Sequence, residues 1–114
     1  MEPLKKLPAR FYETPAGRKP VRDWLFEIGA ENRRVVGYDI QTVEFGWPVG
    51  MPTCRPLGGG LWEIRSNLSD GTIGRVIFCI VRGEIVLLHG FVKKTRKTPS
   101  QDIELAGKRG KEIE

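Results

Sequence analysis

One histidine and two cysteines are all that this chain of 114 residues offers to metal, thiol or imidazole chemistry. Cys54 and Cys79 lie far apart and form no CxxC, so a structural zinc site of the usual kinds finds too few ligands. They read as small, reduced, apolar side chains. A Ser/His/Asp set is open only if His89 belongs to it. The glycines of PLGGGLW lack the lysine and the following helix of a phosphate loop, which leaves a flexible hairpin loop. No run approaches the ~18 apolar residues that span a bilayer. The opening residues MEPLKKLPAR have no apolar core of the signal-peptide kind, so the expected location is the cytoplasm. Internal repeats, low-complexity tracts and long linkers are also missing.

What the chain has is positive charge. Nineteen Lys and Arg stand against fourteen Asp and Glu, a net +5. That balance favours nucleic acid, the ribosome or an acidic protein as partner. It peaks in FVKKTRKTPSQ, residues 91–101, where Lys93, Lys94, Arg96 and Lys97 put four cations into five residues. A solvated loop needs no such density; a site for a polyanion does. The length suits one domain, residues 1–114 with a core at about 9–110, and a 39% hydrophobic content can bury a core without disulfides or metal.

The elements follow from periodicity. Residues 9–13, ARFYE, read as a short strand. Val21, Trp24, Leu25 and Ile28 recur at i, i+3, i+4 and i+7, a helical stripe that Pro20 can open and Gly29 can stop. A second helix is expected over residues 30–45, with Val36, Ile40 and Val43 inside. TCRPL is a short strand or an extended lead-in. In LWEIRSN, Leu61, Glu63 and Arg65 share one face, and Trp62 and Ile64 the other. GRVIFCIVR and EIVLLHGF, joined through Arg82 and Gly83, form an antiparallel hairpin at the sheet centre. His89 shares parity with Ile85, Leu87 and Phe91. Thr98, Pro99 and Gln101 spell a capping box for a last helix. The expected fold is α+β: an N-terminal strand and a two-helix hairpin on a mainly antiparallel sheet of four to five strands, with a C-terminal helix.

Chemistry then falls to arginine and lysine. In such a sheet Arg65, Arg75, Lys93 and Lys94 converge at one end, where cations can stabilise a phosphorane-like transition state. Crowding lowers a lysine's pKa and can make it a base. Glu63 is a counter-charge that orients Arg65 or Arg75, or a solvated strand residue. His89 is a packed histidine or a base, and Trp62 and Phe91 are core residues or stacking platforms.

PLGGGLWEIRSN, GRVIFCIV and LLHGFVKKTRKTP, with RFYETPAG and PVRDWL before them and Ala106 and Arg109 in the last helix, resemble the phage-derived branch of the RelE/HigB toxin superfamily. The resemblance spans about residues 9–110. It implies a fold similar to microbial ribonucleases and the toxin of a type II toxin–antitoxin pair. Many such toxins cut mRNA in the ribosomal A site without a metal or other cofactor, using the RNA 2′-hydroxyl as nucleophile, and the resemblance implies the same here, with a 2′,3′-cyclic phosphate as product. By motif position, Arg65, Arg75, Lys94 and Lys93 become catalytic; Arg96, Lys97, His89 and Phe91 are expected to bind RNA, with Glu63 in support. The implied partners are a helix-turn-helix antitoxin, mRNA and ribosomal RNA. Several members carry a Tyr or His near the last strand or helix, but residues 95–101 hold neither, so Lys93, Lys94 or His89 is left as the base. Two other readings stay open: a non-catalytic toxin on the same scaffold, such as a DNA gyrase poison, and a basic nucleic-acid-binding module.

Overall fold

The computed structural model describes residues 4–93 and 97–113. Eight elements follow in order: β1 (Ala9–Phe11), α1 (Pro20–Glu27), α2 (Ala30–Gly46), β2 (Cys54–Gly58), β3 (Leu61–Asn67), β4 (Ile73–Val81), β5 (Glu84–Lys93) and α3 (Ser100–Glu112). The five strands form one sheet in the order β1-β5-β4-β3-β2. β1 runs parallel to β5, and every other pair is antiparallel. This is the expected α+β arrangement, with β4 as the middle strand.

Two apolar layers hold it. α1 and α2 cover one face of the sheet: Val21, Leu25, Val36, Ile40 and Val43 pack on Ile64, Val76, Phe78, Ile85 and Leu87, with Trp24 and Ile28 against them. The i, i+3, i+4, i+7 stripe of α1 is thus the packed one. α3 covers part of the other face, where Ala106 meets Leu61, Ile77, Val86, Leu88 and Phe91. Its far end is tied down twice. Tyr12 donates its hydroxyl hydrogen to Glu112, and Arg109 Nη1 donates to the Leu88 carbonyl at 2.8 Å. On the other side, buried Glu44 of α2 accepts the Ala9 N–H at 2.7 Å and pairs with Lys5 at 3.0 Å, which fixes the parallel edge strand. Among the described residues no helix is long and apolar enough to cross a membrane.

Two sequence expectations are corrected here. His89 does not share a face with Ile85 and Leu87. The register of β4 on β5 slips between Ile77 and Phe78, so that Ile77 pairs with His89 while Phe78 pairs with Leu87. Leu88 is the extra residue, and such a bulge reverses the alternation beyond it. Leu87 therefore packs under α1 and α2, whereas His89 and Phe91 turn to the α3 side. The second correction concerns Thr98. α3 begins at Ser100 after Pro99, and among the described residues no side chain caps it. The Thr98 hydroxyl is used elsewhere, as the site shows.

Gly90 of β5 lies directly against the Trp24 indole of α1. A Cβ there would stand 2.4 Å from Trp24 Cε3 and 2.7 Å from Cδ2. Gly90→Ala is expected to cost about 1–3 kcal/mol by overpacking, read as a lower urea midpoint. An unchanged midpoint would mean that the indole swings aside freely.

Candidate functional site

The site is built by register. Side chains directly opposite one another on neighbouring strands share a face. Arg55 of β2 pairs with Glu63 of β3, Glu63 with Ile77 of β4, and Ile77 with His89 of β5. One row along, Arg65 pairs with Arg75 and Arg75 with Phe91. A further row places Asn67, Ile73 and Lys93 together. Arg55, Arg65, Arg75, Glu63 and His89 therefore occupy the sheet face that α3 covers in part.

Glu63 is the centre. It is fully buried, with 0% exposure, and so is Arg75. Arg55 Nε and Arg65 Nε lie 3.6 and 3.7 Å from Glu63 Oε1. Thr98 donates its hydroxyl hydrogen to Glu63 Oε2, and Arg75 Nη1 donates to Thr98 Oγ1 at 3.4 Å. The threonine that reads as a cap thus links the buried arginine to the buried carboxylate. Burial pulls the Arg75 pKa below the ordinary arginine value. Glu63 opposes that pull, Arg65 and Arg55 add to it, and Asp102 opposes it. Among the described residues, Arg75 Nε and Nη2 and Glu63 Oε1 find no hydrogen-bond partner. Orphan donors and acceptors in a buried cluster are costly, and functional sites are where they persist.

His89 is held at the edge of this cluster. Its Nε2 lies 2.6 Å from Asp102 Oδ1, and its ring stacks on Phe91 with centroids 5.2 Å apart. Asp102 sits in the first turn of α3, where a carboxylate also complements the helix dipole. A histidine fixed by a carboxylate is the arrangement that orients an imidazole for proton transfer.

Arg65 faces open space. It lines a cavity of about 270 Å³ with Asp39, Pro52, Thr53, Asn67 and Ile73. Cys54 is no nucleophile, since burial and then the Glu63 charge push its thiol up to about 11. Among the described residues no three His, Cys, Asp or Glu side chains gather as a metal site would need.

The structure thus brings Arg65 and Arg75 together, as the strand pairing requires, but only Arg65 reaches solvent. Lys93 is exposed one row beyond them, and Lys97 is exposed just before α3. Phe91 is largely covered, and one face of its ring is taken by His89. Lys94 and Arg96 lie outside the described residues. Sequence reasoning missed three participants: Arg55, Thr98 in its linking role, and Asp102. For Arg55 a signal existed, a charge inside a β segment. For Asp102 none did, because only the packing of α3 on β5 places it beside His89.

Against known families, the model described as "Phage derived protein Gp49-like (DUF891)" matches residues 23–111. No curated protein matches the chain.

Proposed function

Because this chain belongs to the Gp49-like family of phage-derived proteins, we propose that it is the toxin of a toxin–antitoxin pair. Its activity on this reading is that of an mRNA endoribonuclease working on the ribosome, as in the RelE/HigB proteins it resembles. The observation that carries the reading is the opposed pair Arg65 and Arg75 around buried Glu63, with a carboxylate-held histidine on the same sheet face.

The chemistry needs three things. The ribose 2′-hydroxyl must lose its proton, its oxygen must attack the adjacent phosphorus, and the 5′-oxygen must leave with a proton. The products are a 2′,3′-cyclic phosphate and a 5′-hydroxyl, and no external reactant is consumed. Arg65, which lines the cavity, stabilises the charge gathering on the phosphoryl oxygens. His89, oriented by Asp102, takes the 2′-hydroxyl proton and returns it to the leaving oxygen. Arg75, fully buried, acts through Glu63 and Thr98 as a positioning residue. Lys93, Lys94, Arg96 and Lys97 supply charge for docking on ribosomal RNA.

Induction in cells without antitoxin tests the reading. Amino-acid incorporation is expected to fall within minutes, while thymidine incorporation continues at first. The reverse order would point to a gyrase-type poison, and growth without arrest would return the fold to a binding module.

A further inference from the structure

Arg55 is the one guanidinium of the cluster that the ribonuclease reading leaves unused, and the inference here rests on that reading. It stands on β2, across from Glu63 and on the face that carries Arg65 and Arg75. Arg55 and Arg65 direct their Nε atoms to the same carboxylate oxygen, at 3.6 and 3.7 Å. These distances are ion pairs rather than hydrogen bonds. Glu63 therefore steadies both side chains without satisfying either. A guanidinium carries five donors in a rigid fork suited to phosphate oxygens. With Nε turned to Glu63, the remaining donors are those of Nη1 and Nη2. The side chains are 27% and 21% exposed, so both remain within reach of solvent.

The electrostatics ask for an anion. Three guanidiniums surround one buried carboxylate, and among the described residues Asp102 is the other negative group that acts on Arg75. Among the described residues, Arg75 Nε and Nη2 and Glu63 Oε1 have no hydrogen-bond partner. Placement suggests which anion. Arg55 and Arg65 are diagonal neighbours across two strands, about 7–8 Å apart by sheet geometry, on the scale of successive phosphates in an extended strand. On the opposite side of Arg65 the Asn67–Ile73 row opens into the cavity of about 270 Å³.

We propose that Arg55 and Arg65 form a two-armed phosphate clamp for single-stranded RNA, braced from below by Glu63. Arg65 holds the scissile phosphate. Arg55 holds the next one along the chain, and the nucleotide on the other side enters the cavity. Arg55 is thus a binding and positioning residue, not one that takes part in bond cleavage.

The test is steady-state cleavage of message on translating ribosomes at several salt concentrations, with Arg55→Ala and Arg55→Lys beside the unsubstituted protein. Melting curves confirm that each variant folds. Arg55→Ala is expected to raise KM roughly tenfold, the scale of one charge-assisted contact, with kcat within about twofold. The slope of log(kcat/KM) against log salt should shrink by about 0.7, the share of one phosphate contact on a single strand. Arg55→Lys should keep the slope and recover only part of the KM, since it keeps the charge and loses the fork. An unchanged KM and slope in a protein that still cuts would overturn the clamp and leave the ribonuclease reading standing. A loss confined to kcat would overturn it too, by placing Arg55 in the chemical step. If the unsubstituted protein cuts no message, the ribonuclease reading fails and the clamp falls with it.

Discussion

Glu63→Gln is expected to lower folding stability by about 3–5 kcal/mol, the usual range when one partner of a buried ion pair is removed. The substitution keeps the volume, so no cavity term enters. What it removes is the charge at the centre of the cluster. Arg75 is 0% exposed and has Glu63 as its main counter-charge, so its guanidinium would be left buried with only the weaker influence of Asp102. Arg55 and Arg65 lose the same oxygen, though both can turn toward water. Urea unfolding should show a lower midpoint with an unchanged slope. A second change separates charge from packing. Glu63→Gln combined with Arg75→Met removes the stranded cation along with the carboxylate, and should recover part of the loss. A loss below about 1 kcal/mol for Glu63→Gln, the exposed-pair range, would mean that water reaches the cluster and that Arg75 is not held as described.

The largest effect on activity is expected at Arg65. Arg65→Ala should reduce message cleavage by about 10²–10³-fold, the cost of deleting one donor aimed at developing transition-state charge. Its effect on stability should stay below about 1 kcal/mol, because the side chain is partly solvated and its ion pair is long. That separation is diagnostic. Arg75→Ala would destroy activity and stability together, so its loss of function says little about chemistry. Arg65→Ala should leave a folded protein that no longer cuts. A folded Arg65→Ala protein with near-normal cleavage would move the phosphate elsewhere, with Lys93 and Lys94 the first candidates.

Much of the architecture is written in local pattern. The α1 stripe, the alternation of LWEIRSN and the Arg82–Gly83 hairpin are short-range signals, and each appears as read; Arg82 and Gly83 take φ of 51° and 79°, the left-handed pair that a two-residue hairpin turn demands. The facing of Arg65 and Arg75 also follows from antiparallel pairing alone. What escaped depends on contacts between distant elements. The bulge at Leu88 moves His89 and Phe91 to the α3 side, and no parity rule foresees a residue that interrupts parity. Thr98 carries a good capping signature, yet a buried carboxylate 35 residues away in sequence claims its hydroxyl. Glu63 reads as a counter-charge or a solvated strand residue and Arg75 as a cation of the site, and neither reading foresees full burial. Thr98, just before α3, links the two through its hydroxyl. Asp102 looks like an ordinary first-turn acid until α3 is laid on β5. Propensity describes an element; which side chain each element offers its neighbour is settled only by packing.

The most direct test of the central claim is to map the ends of cellular messages after induction without antitoxin, for the unsubstituted protein and for Arg65→Ala. The expected result is a set of cuts within translated frames, each with a 2′,3′-cyclic phosphate on one side and a 5′-hydroxyl on the other, absent in the Arg65→Ala cells. Intact messages in arrested cells, or cuts that persist unchanged in Arg65→Ala, would contradict a ribonuclease centred on this cluster.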